Sequence, residues 1–130
     1  MILGDVRRPR VVLADDHAAV AHELRSLLEP EFEVVAVADN GEALVAIAAA
    51  LRPDAVITDI AMPLLDGVAA LEQIHGIDAT IPVVCVTVLA GPEVRRRALD
   101  AGAAGFVSKV AAGIDLLPAL RAALRGERTA

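Results

Sequence analysis

The chain has 130 residues, 56% of them hydrophobic and only 2% aromatic, so a single domain with a core of Ala, Val, Leu and Ile is expected. A formal net charge of −6 argues against a surface that binds nucleic acid directly. No apolar run approaches the ~18 residues of a membrane helix, and the opening stretch from Met1 to Arg8 lacks the sustained apolar run of a secretory signal.

The first strand is Val11-Val12-Leu13-Ala14, which runs into Asp15-Asp16. Val20, Leu24, Leu27 and Leu28 recur at helical spacing and predict a helix between His17 and Glu29, stopped by Pro30. A second strand covers Glu33 to Ala38. Asp39 or Asn40 then caps a helix with Leu44, Ile47, Ala48 and Leu51 on one stripe, closed by Pro53. The third strand, Ala55-Val56-Ile57-Thr58, leads into Asp59. Pro and Gly punctuate Met62 to Gly67 as a loop, and Val68, Leu71 and Ile74 mark a short third helix. Asp66 and Gly67 read as loop geometry.

Pro82 opens the fourth strand, Val83-Val84-Cys85-Val86, which runs into Thr87. The single Cys85 lies inside that run and has no partner for an internal disulfide. Val94, Ala98 and Ala101 mark the inner side of a fourth helix that Gly102 ends. Arg95-Arg96-Arg97 on it reads as a solvated face or as a surface answering acids on a partner. Ala104 to Val107 is the fifth strand, followed by Ser108-Lys109. A last helix carrying Leu117, Leu120 and Leu124 is expected to start near Asp115, because Pro118 is best tolerated in a first turn. The order is (βα)5, an α/β doubly wound five-stranded parallel sheet. Residues 1–8 are expected to form a flexible tail, 9–125 the domain, and 126–130 a frayed C-terminal tail or the start of a linker.

Buried apolar runs separated by helices read as parallel strands, and ligands of such sheets bind at the carboxyl ends of the strands. Asp15, Asp16, Asp59, Thr87 and Lys109 should therefore meet in one cleft. Two unit charges ~4 Å apart at an effective dielectric of 20 repel by ~4 kcal/mol, so the acids need a cation. Oxygen donors without a Cys or His cluster point to a hard ion, Mg²⁺. His17, His22 and His75 lack metal-ligand spacing and read as surface residues, with His17 the one able to line the cleft. Asp59 stands alone after a central strand, which suits a nucleophile forming an aspartyl-phosphate. Lys109 and the Thr87 hydroxyl would then meet the phosphoryl oxygens. Lys109 is the single lysine among 12 basic residues, placed where a compact ammonium on a flexible stem suits the site.

Leu13-Ala14-Asp15-Asp16-His17, Thr58 to Pro63 with Asp66-Gly67 behind, and Ala101 to Lys109 together resemble the receiver domain of two-component response regulators. The resemblance is strongest to the NarL/FixJ (LuxR-type) transcriptional branch. It implies the flavodoxin-like receiver fold with strand order 2-1-3-4-5. It implies Asp59 as phosphoacceptor, and Mg²⁺ held by Asp15, Asp16, Asp59 and the Ala61 backbone carbonyl. It further implies Thr87 and Phe106 as switch residues, with Phe106 changing rotamer on the output face. A sensor histidine kinase is the implied donor, pairing of two copies through the fourth and fifth helices is plausible by analogy, and DNA would be reached only through an effector domain absent from this chain. A cytoplasmic location is expected.

Departures from the family pattern carry expectations of their own. Val110, not Pro, follows Lys109, so the loop beyond it can be placed differently. The positions two beyond Asp59 and Thr87 hold apolar Ala61 and Leu89, where polar residues can position a hydrolytic water, so slow loss of the phosphoryl group is expected. A phosphohydrolase of the haloacid-dehalogenase type needs an acid at position 61 and fails there. A nucleotide or flavin binder would show a Gly-rich loop after the first strand, where Asp15-Asp16-His17 stands. A receiver-like scaffold that takes no phosphate is the remaining alternative.

Overall fold

A computed structural model describes residues 7–88 and 91–129. Five strands, β1 (Arg10–Ala14), β2 (Glu33–Ala38), β3 (Ala55–Thr58), β4 (Val83–Thr87) and β5 (Gly105–Ser108), alternate with five helices. These are α1 (Ala18–Leu28), α2 (Gly41–Leu51), α3 (Gly67–Ile77), α4 (Pro92–Asp100) and α5 (Ala112–Leu124). The strands pair in parallel in the order β2-β1-β3-β4-β5. The flavodoxin-like order expected above is therefore the observed one.

Alternation along each strand builds two cores. Val11, Leu13, Ile57, Val84, Val86 and Val107 face α1 and α5, packing on Leu24, Leu28, Leu116 and Leu120. Their strand neighbours Val12, Ala14, Val56, Val83 and Cys85 face the other way, onto Leu44, Leu71, Ile74 and Ala98. With both faces covered, the central strands are apolar except at their ends, Arg10, Thr58 and Thr87, and periodicity disappears from their sequence. Burial pushes the Cys85 thiol up to about 12, with the Asp59 and Asp66 charges adding to the effect, so it stays a neutral core residue.

Several boundaries differ from expectation for local reasons. Of the two caps expected for α2, Asn40 is the one used, accepting from the Ala43 N–H at 2.8 Å. Helix α3 is a full 11 residues, because Asp66 caps it by accepting from the Ala69 N–H. Helix α5 starts at Ala112, three residues before the expected Asp115, so Pro118 sits inside it. Pro118 is exposed while Leu116, Ala119 and Leu120 are buried, and packing of that face offsets the missing backbone hydrogen bond. Gly102, at φ +105, ends α4 as expected: its N–H bonds to the Leu99 carbonyl and the Ala103 N–H to the Ala98 carbonyl, both at 3.0 Å. His75 is not a free surface residue, since its Nε2 lies 2.9 Å from the Ile81 carbonyl.

The expected fraying after Arg125 is absent from Gly126–Thr129, which fold back so that Thr129 bridges Gly105. The Ala104 carbonyl, just ahead of β5 on the open edge of the sheet, receives the Thr129 N–H. Residues 1–6 lie outside the described residues.

Candidate functional site

The strand order reverses between β1 and β3, and a crevice opens there at the carboxyl ends of the strands. Asp15 and Asp59 are the first residues beyond those two strands. Their N–H groups continue the ladder, Asp15 to the Ala38 carbonyl at 3.0 Å and Asp59 to the Ala14 carbonyl at 2.9 Å. Both are thereby fixed by the sheet, and both are buried, at 2% and 4% exposure.

The Lys109 ammonium joins them. It enters from the turn after β5 and lies 2.7 Å from Asp15 Oδ2 and 2.8 Å from Asp59 Oδ2. Burial works against the charged ammonium, but the hydrogen bonds and charges of Asp15 and Asp59 outweigh it and hold the Lys109 pKa above its usual value. Asp59 Oδ1 accepts from the Ile60 N–H at 2.7 Å, so each of its oxygens has a partner that orients the carboxylate. Asp15 Oδ1 accepts from the His17 N–H at 2.9 Å, while buried Asp15 Oδ2 faces the Lys109 ammonium.

Asp15, Asp16, His17 and Asp59 each offer a donor atom within 4.8 Å of the others. Asp16 is exposed at the mouth, and His17 Nδ1 lies 3.2 Å from Asp16 Oδ1 and 3.4 Å from Asp15 Oδ1. Three carboxylates whose oxygens converge on one point fit a hard divalent cation. His17 was legible only as a neighbour of the acids; its place comes from ending the β1–α1 turn at the N-cap of α1.

Thr87 ends β4 fully buried, opposite Ser108 of β5. Phe106, half-buried on β5 opposite Cys85, packs on the α2–α4 side of the sheet. Ala61 is exposed in the loop after Asp59. Leu89 lies outside the described residues.

Two glycines shape that loop; sequence reasoning marks Gly67 as loop geometry and passes over Gly41. A Cβ on Gly67 would run into the Asp59 carbonyl, and one on Gly41 into the Leu65 carbonyl. The Gly67 N–H also bonds to the Ile60 carbonyl at 2.8 Å. Helices α2 and α3 thus press on the loop through backbone alone. The available signal was position: each glycine directly follows a capping Asn or Asp. Arg97 pairs with Asp66 at 2.7 Å, so one of the three consecutive arginines is tied within the chain.

Fold and site define a class, the open parallel α/β sheets that gather acids and a lysine at the switch point. The chain belongs to the response regulator receiver domain family, whose model matches residues 11–121. It is 36% identical over 100 residues to chemotaxis protein CheY of Halobacterium salinarum, covering 77% of this chain and 83% of that protein. It is 34% identical over 116 residues to the transcriptional regulatory protein PdtaR of Mycobacterium tuberculosis, covering 88% of this chain and 56% of that one. The receiver domain of the M. tuberculosis response regulator NarL superposes with a TM-score of 0.89 at 27% identity, covering 94% of this chain and all of that one. A LuxR-family response regulator from Aurantimonas gives 0.89 at 31% identity, with 93% and 88% covered. The chain thus spans most of CheY but about half the length of PdtaR. Its role is that of a receiver domain of two-component systems, a signalling switch. No helix among the described residues is long and apolar enough to cross a membrane.

Proposed function

We propose that residues 9–125 form a receiver unit in which Asp59 accepts a phosphoryl group from the phosphohistidine of a sensor histidine kinase. The observation that carries this reading is the buried Asp59 carboxylate held at 2.8 Å by Lys109, with Asp15 on the same ammonium. A carboxylate oxygen of Asp59 attacks phosphorus, the P–N bond breaks, and the imidazole leaves with the bonding pair. Lys109 stays against the transferred group and balances its added charge. Thr87 donates its hydroxyl to a phosphoryl oxygen, and Phe106 follows on β5, changing the output face.

Asp15, Asp16, Asp59 and the Ala61 carbonyl would hold Mg²⁺, which when bound supplies positive charge against the phosphoryl oxygens. Catalysis in this reading is confined to the chain's own phosphorylation and dephosphorylation. Transcription is the favoured output, supported by the LuxR-family and NarL likenesses, with DNA contacted through an effector domain. Homodimers and a cytoplasmic location belong to the same reading.

Phosphoramidate, whose P–N bond models phosphohistidine, provides the test. With Mg²⁺ it should add phosphate that hydroxylamine removes, as an acyl phosphate requires. A label that survives hydroxylamine would place the phosphate on another residue type, and no label at all would favour the phosphate-independent scaffold.

A further inference from the structure

The segment after α5 stays on the fold. Gly126, at φ +80, turns the chain; the Glu127 N–H bonds to the Ala122 carbonyl and the Thr129 N–H to the Ala104 carbonyl, both at 2.9 Å. The Arg128 guanidinium donates to the Leu99 carbonyl and, at 3.1 Å, to the Ala103 carbonyl. The Leu99 carbonyl lies in the last turn of α4, where the helix dipole favours a cation, and that of Ala103 just past the turn at Gly102. One short stretch therefore ties the end of α4 to the edge of β5 and the end of α5.

The rest of α4 is lightly anchored. Ala98 is its one fully buried residue, with Val94 and Leu99 partly buried against the core, and the Arg97–Asp66 pair is solvent-exposed and contributes little. The seat of the C-terminal stretch is imperfect as well. The Thr129 hydroxyl oxygen is buried with no hydrogen-bond partner among the described residues, a penalty relieved when the segment lifts into water. Strand β5 connects this seat with the acidic cleft. Gly105 at its start receives Thr129, and Lys109 just beyond its end reaches Asp15 and Asp59. Between them, Phe106 lines the same notch as Thr129, together with Pro118 and Ala119.

We propose that Glu127–Thr129 is a displaceable strap, holding α4 and Phe106 in the unphosphorylated arrangement, and that its seating and the modification of Asp59 oppose each other through β5. This rests on the phosphoacceptor reading above. Coupling of two sites is reciprocal, so loosening the strap must ease modification of Asp59. A plain cover for an edge strand carries no such coupling.

The test uses the full chain, Mg²⁺ and beryllofluoride as a phosphoryl mimic, read by amide hydrogen exchange at Thr129 and along α4 and by titration midpoint. Saturating beryllofluoride should strip protection from Thr129. Gly105→Ala would place a Cβ 3.0 Å from Thr129 Oγ1, while its contacts with Val84 and Ala119 stay ordinary at 3.5 and 3.6 Å. That variant and Arg128→Ala should lower the midpoint about five-fold. Thr129→Val keeps the side-chain shape, removes the unpaired hydroxyl and should raise the midpoint. Unchanged protection at Thr129 under saturating beryllofluoride, or midpoints unmoved in all three variants, overturns the strap. A chain that binds no beryllofluoride with Mg²⁺ present overturns the phosphoacceptor reading itself, and the strap with it.

Discussion

Lys109 joins two buried acids that would otherwise face each other unneutralised. Removing one partner of such a group leaves uncompensated charge, so Lys109→Ala should destabilise the fold by about 3 kcal/mol in urea unfolding without divalent ions. Mg²⁺ binding should survive the change and restore part of the loss; a variant as stable as wild type would show that the ammonium contributes nothing there. The raised Lys109 pKa gives the same contact a pH signature. Its stabilisation is full below the ordinary lysine value of 10.5 and is lost as pH rises through the higher folded value. At this scale the cleft was legible, because each of Asp15, Asp59, Thr87 and Lys109 stands at the end of an apolar run. The inward step of Lys109 onto both acids was not legible, since side-chain reach across strands leaves no trace in spacing.

Asp66 shows how an element boundary gains a second role. It caps α3 and binds Arg97 of α4, and its neighbour Gly67 touches the backbone of Asp59. Burial pushes its pKa up, but the Ala69 N–H and the Arg97 guanidinium outweigh that and hold the carboxyl below its ordinary 3.8. The resulting stability is present above that value and is lost as pH falls through the lowered one. Asp66→Asn keeps a capping oxygen and removes the ion pair. It should cost at most about 1 kcal/mol at neutral pH, since the pair is half-exposed, and the gap to wild type should narrow below pH 3.8 and close once pH falls below the lowered Asp66 value. Denaturant midpoints at the two pH values check this, and a gap that persists in acid would contradict it. The helices were legible from their stripes, while the ends of α3 and α5 were not. Asp66 read as loop because its partners lie in the next turn, and Pro118 read as an N-terminal residue because burial of the opposite face was invisible.

At the scale of the whole molecule, two packed faces leave the crevice between β1 and β3 as the place where acids gather. Apolar runs, helix order and strand-end residues were enough to foresee a parallel sheet with a polar cleft at its carboxyl edge, and the strand order came with the resemblance to receiver domains. The return of Gly126–Thr129 to β5 was not foreseen, because an edge that accepts a single backbone hydrogen bond asks nothing of the sequence. Apolar residues at positions 61 and 89 lack the polar groups that would position a hydrolytic water. Phosphorylated protein freed of donor should therefore lose its label slowly, and Ala61→Asn should shorten the lifetime; rapid loss from wild type would contradict this. The whole reading comes down to one covalent event at one carboxylate. Intact mass after acetyl phosphate and Mg²⁺ should rise by a single phosphoryl group, and should stay unchanged in Asp59→Asn or when the metal is chelated. A mass gain that persists in Asp59→Asn, or none in wild type, would contradict it.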